Sequence, residues 1–127
     1  MDVRSIESVV AEDVHQNTVR NWWLFAPREL REATLGGYLE HVDEFSISGG
    51  EEVHPHHHHT WEFYYVLKGR GIMTIGGESR EVAQGDLVSI PPDAVHSLKT
   101  VSDSAPIHCL AFAIGLGDTP EVDYVAD

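Results

Sequence analysis

Apolar and polar residues alternate in short runs along most of the chain, and glycine, proline and small polar residues cut the runs apart. That is the pattern of half-buried strands joined by turns. From Tyr38 onward it predicts strands over residues 38–47, 52–59, 62–67, 72–75, 79–82, 87–90, 95–100 and 107–114. No long helical period competes with them, so the expected fold class is all-β, a sandwich or a barrel. Gly76-Gly77 between two runs predicts a two-residue hairpin of type I′, whose central positions both need positive φ. Gly69-Arg70-Gly71 marks another reversal. Pro55 cannot donate to a ladder, so its strand is expected to be irregular or at a sheet edge there.

The start of the chain is less regular. Ile6, Val9, Val10 and Val14 recur at helical spacing behind Ser5, which predicts a short helix with Ser5 as its cap. Residues 19–25 are aromatic and β-branched and are stopped by Pro27, which predicts a strand with Trp22 and Trp23 on opposite faces. Residues 27–33 are expected to make one or two helical turns, with proline in the first. The expected organisation is an N-terminal extension over 1–37, a barrel over 38–117 and an acidic tail over 118–127. A small barrel cannot cover both faces of the tryptophan-bearing strand, so the extension is expected to lie in the interface of a homodimer.

At 127 residues, with 42% hydrophobic and 23% charged residues, one domain with one core is expected. Lys and Arg number 8 against 21 Asp and Glu, a formal charge of −13 that repels phosphate backbones and anionic lipid. Neither nucleic acid nor a membrane is an expected partner. No apolar run approaches the roughly 20 residues that cross a bilayer, and Met1-Asp2-Val3-Arg4 does not open a signal peptide. The expected location is the cytoplasm. The single cysteine, Cys109, excludes an internal disulfide, and its neighbours Leu110, Ala111 and Phe112 predict a buried, inert thiol.

Candidate chemistry concentrates at His54-Pro55-His56-His57-His58-His59, with Glu62 three residues further on. Imidazole and carboxylate are metal ligands, and the position inside the chain between strand runs argues against a purification tag. On a pleated strand His56 and His58 point one way while His57 and His59 point the other. A tight turn around Thr60-Trp61 would return Glu62 on the next strand, sharing a face with Tyr64 and Val66. Alternation alone leaves the pair open, because a register one residue different presents His57 and His59 instead.

The spacing Gly50, five residues, His56, one, His58, three, Glu62, six, Gly69 resembles the first conserved motif of the cupin family. Gly85, five, Pro91, one, Asp93, two, His96, three, Thr100 resembles the second. Asp93 stands where the family usually has glycine, and Thr100 where it usually has asparagine. Proline followed by aspartate still suits a type I turn, so the reversal before His96 is expected to survive.

The resemblance implies a double-stranded β-helix, or jelly-roll, barrel in which His56, His58, Glu62 and His96 hold one divalent transition metal. Mn, Fe, Co, Ni, Cu and Zn all suit that donor set. Each ligand histidine is then expected to donate its other ring proton to a carbonyl or carboxylate. It further implies a metal-dependent enzyme acting on a small organic substrate, with dioxygenase chemistry first and isomerase or lyase chemistry beside it. Glu62 and Tyr64 are the candidate catalytic groups. A non-catalytic cupin that binds a metabolite or metal for sensing or storage is the alternative.

The remaining histidines read as structure: His57 and His59 on the outer face, His54 at inner parity, His108 in the core or on the surface, His15 and His41 on the surface. Tyr64, Met73, Leu98 and Phe112 are the inward candidates and predict an apolar pocket, with no arginine placed to face the ion. No nucleophile elbow, paired cysteine motif or phosphate-binding glycine loop is present.

Overall fold

The alternating runs become eleven strands in the computed structural model, which describes residues 1–118. They are β1 (Asp2–Arg4), β2 (Glu12–Val14), β3 (Val19–Asn21), β4 (Tyr38–Ile47), β5 (Glu52–His56), β6 (Thr60–Lys68), β7 (Arg70–Ile75), β8 (Glu78–Ala83), β9 (Leu87–Ile90), β10 (His96–Thr100) and β11 (Ile107–Gly115). β1, β9, β6, β11 and β4 form one sheet in that order, and β5, β10, β7 and β8 form a second. β2 and β3 make a separate hairpin. All pairings are antiparallel.

The two sheets face each other across a core that includes Ile47, Val66, Met73, Val82, Val88, Ile90, Leu98, Ile107 and Cys109. Period-two alternation built this layer: along β11 the residues Ile107, Cys109, Ala111 and Ala113 are buried while their neighbours are half-buried. Phe112 therefore points outward, contrary to expectation, and stacks on Phe63 at 4.8 Å between ring centroids. Phe25 closes on the same Phe63 edge-on at 5.4 Å, and the Arg4 guanidinium lies 3.8 Å over the Phe25 ring. An aromatic cluster on the outer face of the sheet thus holds the N-terminal segment down.

The chain switches sheets twice where the site is built. Thr60 and Trp61 lie within β6 rather than in a turn, and residues 57–59 carry the chain from the second sheet into the first. At Gly69 it crosses back, with φ at +91° and no room for a side chain against the Pro106 carbonyl. β5 is an edge strand, and its register with β10 shifts between His96 and Leu98, opposite His54 and Pro55, as the missing proline donor demands.

Several local expectations give way to other geometry. Residues 6–14 form no helix: Ser5 and Ser8 satisfy the backbone among themselves in one turn, Val10 is fully in solvent, and Val14 belongs to β2. The strand expected over 19–25 stops at Asn21, where Trp23 turns its Nε1–H to Glu12 Oε2 at 2.6 Å. Residues 27–33 run through successive hydrogen-bonded turns instead of a helix, because Arg28 sits at φ +68°, outside the right-handed region. Gly76-Gly77 does make the hairpin between β7 and β8, but only Gly76 has positive φ, the sign pattern of type II′. The acidic tail, apart from Asp118, lies outside the described residues.

Candidate metal centre

β5 and β10 deliver the first two donors directly: His56 and His96 are register partners, with ring centroids 4.2 Å apart. His58 follows on the crossover, and Glu62 comes from β6 in the opposite sheet. One donor atom from each of His56, His58, Glu62 and His96 lies within 4.8 Å of all the others. The pair chosen by the bend after β5 is therefore His56 and His58. His57 and His59 point elsewhere, the latter with Nδ1 at 2.8 Å from Asp93 Oδ2.

The ring orientations are fixed from behind. His56 Nδ1 faces the His54 carbonyl at 2.8 Å, and His96 Nδ1 faces the Ala94 carbonyl at 2.9 Å. A carbonyl only accepts, so these nitrogens carry the proton and each Nε2 presents a lone pair to the centre. His58 Nδ1 meets the Thr60 hydroxyl at 2.8 Å. The backbone carbonyls are the outer partners expected of ligand histidines.

Glu62 Oε1 stands 3.1 Å from His58 Nε2 and 3.4 Å from His96 Nε2. Glu62 Oε1 and His96 Nε2 are both buried without a hydrogen bond. With Nδ1 of His96 protonated, its Nε2 lone pair and the carboxylate oxygen at that distance repel unless a proton or a metal ion sits between them. Burial alone would push the Glu62 carboxyl up; with a proton on the facing nitrogens, the hydrogen bonds and charge of His58 and His96 outweigh it and hold it at about 2, and a metal ion would stand in the place of those protons. The donor set, its tautomers and its unsatisfied atoms all fit a divalent transition metal.

Above this cluster the first sheet sets side chains in rows. Ile90, Glu62, Ala113 and His41 are consecutive partners across β9, β6, β11 and β4. Val88, Tyr64, Ala111 and Asp43 form the next row. Ala111 and Ala113 are buried and small, so side chains from β6 and β4 can approach each other across them. Tyr64 is buried beside Phe45, with ring centroids 4.9 Å apart. Burial, then the Glu62 charge, pushes its phenol well above the ordinary range, so the hydroxyl keeps its proton.

His41, expected on the surface, is the residue the sequence reading missed: its Nε2 lies 3.4 Å from Glu62 Oε2 and 3.4 Å from Asp43 Oδ1. The signal was the parity of β4, where buried Ile47 and half-buried Phe45 put Asp43 and His41 on the same face. His54, given inner parity, is instead 82% exposed beside Glu52, because the β5 bulge turns it out. His108 pairs with Glu44 at 2.7 Å on the outer side. Met73 and Leu98 are core residues as expected, and burial pushes the Cys109 thiol up to about 12.

The two departures from the second motif are both accommodated. Asp93 takes φ +63° at the second central position of the turn closed by Ala94 N–H to the Pro91 carbonyl, the type II rather than the type I pattern. Its own N–H also binds the His58 carbonyl at 2.9 Å, tying the turn to the ligand segment. Thr100 Oγ1 accepts the Gly50 N–H at 2.8 Å and so joins the first residue of one motif to the last of the other. A surface groove of about 600 Å³ along Gly50, Glu52, Lys99 and Thr100 shares no ligand residue with the cluster.

Comparison with known proteins matches residues 43–113 to the sequence model of the cupin domain. The dimethylsulfoniopropionate lyase DddW of Ruegeria pomeroyi is 37% identical over 84 residues, 66% of this chain and 49% of the lyase. A gentisate 1,2-dioxygenase of Haloferax is 37% identical over 46 residues, 36% of this chain and 13% of that enzyme. A cupin protein of Bacteroides fragilis shares the fold with a TM-score of 0.54 and 28% identity, over 65% of this chain and 70% of that one. The chain spans about half the length of two of the curated relatives it matches, the Ruegeria lyase among them.

Proposed function

This chain belongs to the cupin family, and on that footing we propose that it is a mononuclear metal-dependent enzyme acting on a small organic substrate. His56, His58, Glu62 and His96 are the proposed ligands. The observation that carries the reading is the convergence of four donors within 4.8 Å, two of them buried and otherwise unsatisfied. A divalent ion held there supplies Lewis acidity to a substrate oxygen beside it.

Proton-transfer chemistry, elimination or isomerisation, is the reaction class the surroundings support best. Tyr64 reaches toward the cluster with its phenol proton retained, and His41 and Asp43 line the opposite side. In this reading Glu62 stays ionised as a ligand and Tyr64 donates a hydrogen bond to the oxygen on which charge develops. The similarity to a lyase over 66% of this chain supports the same class. Oxygen-dependent ring or carbon–carbon cleavage is the second reading, supported by the similarity to a gentisate dioxygenase.

The test is a panel of β-substituted carboxylic acids, diketones and dihydroxybenzoates offered to metal-loaded protein with and without oxygen. Turnover that survives removal of oxygen and is lost on chelation supports the first reading. Strict dependence on oxygen selects the second. Binding without turnover across the panel returns the chain to the non-catalytic alternative.

A further inference from the structure

His41 reaches Glu62 from two strands away, and it does so only because Ala113, between them in the row, has no side chain beyond its methyl. The contact has a definite direction. Glu62 Oε1 faces His58 and His96, whereas Glu62 Oε2, the other oxygen of the same carboxylate, faces His41 Nε2 at 3.4 Å. Asp43, two residues along β4 on the same face, has Oδ1 3.4 Å from the same nitrogen. The nitrogen thus lies near two acceptors, and the side chain is only one-third exposed.

We propose that His41 is a positioning residue of the ion-binding site: it engages the outer oxygen of Glu62 so that the carboxylate presents Oε1 alone to the three imidazoles. The inference rests on the ligand reading given above. A carboxylate can bind an ion through one oxygen or both, and the choice sets how many positions remain for substrate. Four protein donors leave open positions on an ion of the first transition series, whereas a second Glu62 oxygen would fill one of them. Partners of ligating groups typically change metal affinity 10- to 100-fold when removed. The row geometry adds an independent handle, because a larger side chain at position 113 would stand between His41 and Glu62.

The experiment uses the full chain, stripped with chelator and titrated with Co(II), whose visible d–d absorption weakens as coordination number rises. His41→Phe keeps the ring volume without the polar contact. It is expected to weaken Co(II) binding roughly 10-fold or more and to lower the absorption per bound ion. His41→Gln, which keeps a donor, should restore both toward the wild type, and Ala113→Val should reproduce the His41→Phe spectrum. Circular dichroism melting confirms that each variant is folded before titration; His41→Gln against Ala113→Val carries the comparison if His41→Phe is not. Wild-type affinity and spectrum in both His41→Phe and Ala113→Val would overturn the role of His41 while leaving the ligand set intact. No Co(II) uptake by the wild-type protein would overturn the ligand set itself.

Discussion

His56 and His96 are direct register partners on β5 and β10, so two candidate ligands are fixed by the hydrogen bonds of one strand pair. Glu62 arrives from the opposite sheet, and an ion bound among them would staple the two layers together. Purified protein is therefore expected to carry close to one divalent ion per chain, and the double substitution His58→Ala, His96→Ala should abolish it by elemental analysis. Added metal at one hundred times its dissociation constant should stabilise the wild type by about 2.7 kcal/mol and leave the double variant unmoved. Full occupancy in the double variant would sink the assignment.

The strands that carry the site were readable because their alternation is long or sharply bounded: Tyr38–Ile47 and Leu87–Ile90 fall where the pattern placed them. The four candidate donors, His56, His58, Glu62 and His96, stood out by their spacing, and the structure brings them together. His41 was readable in principle, two steps of alternation from Phe45, but a polar residue near a strand end looks like surface until the row across Ala113 is known. Which strands pair is a long-range property, so the sheet switch at residues 57–59 left no local mark. The helix over 6–14 failed for a different reason. Apolar spacing predicts a helix only when a partner surface buries its stripe, and Val10 has none among the described residues.

Metal affinity should fall on the acid side. The Glu62 carboxyl, held at about 2 against an ordinary 4.5, is ionised at every pH of interest. Its contribution to stability is full above 4.5 and is lost only as pH falls through about 2. Competition between pH 7.5 and 5.5 therefore comes from imidazole, which in water takes up a proton near pH 6.5. The dissociation constant measured by competition with a chromophoric chelator is expected to rise on the order of 10-fold or more across that window. A flat profile would contradict a site built on three histidines.

Tyr64→Phe separates chemistry from metal binding. The phenol is buried and holds its proton, and it is not among the four converging donors. Removing its hydroxyl should leave metal content and melting nearly unchanged, because the ring packs on Phe45 either way. If Tyr64 donates to the developing charge, kcat on the identified substrate should drop by roughly 10²- to 10⁴-fold. An unchanged kcat would make Tyr64 a core aromatic and nothing more.

Asp93 occupies φ +63°, a region that costs an ordinary L-residue about 1–2 kcal/mol and glycine nothing. Its exposed pairing with His59 is worth little in return. Asp93→Gly should therefore unfold in urea at or above the wild-type midpoint, while Asp93→Ala, lacking the tolerance of aspartate for this conformation, should lose about 1 kcal/mol. Equal losses in both variants would give the Asp93–His59 contact the leading role instead.

β4 pairs with β11 on one side and with no strand on the other among the described residues. Along it Tyr38, Leu39 and Val42 are 54%, 64% and 57% exposed, and Trp22 and Trp23 are part-exposed on the segment before it. An unpaired strand edge with apolar side chains invites a second chain, and two-fold closure is the commonest outcome. We therefore expect a dimer whose interface includes β4, with the N-terminal segment beside it. Light scattering at micromolar concentration should give twice the chain mass of 14.1 kDa. Val42→Lys places a charge on the exposed face of that edge and should shift the population to monomer without lowering metal content, since Val42 points away from the cluster with Phe112 as its partner. A monomeric wild type would show that the tryptophans and the β4 edge are tolerated in water, and Val42→Lys would then change neither mass nor tryptophan quenching.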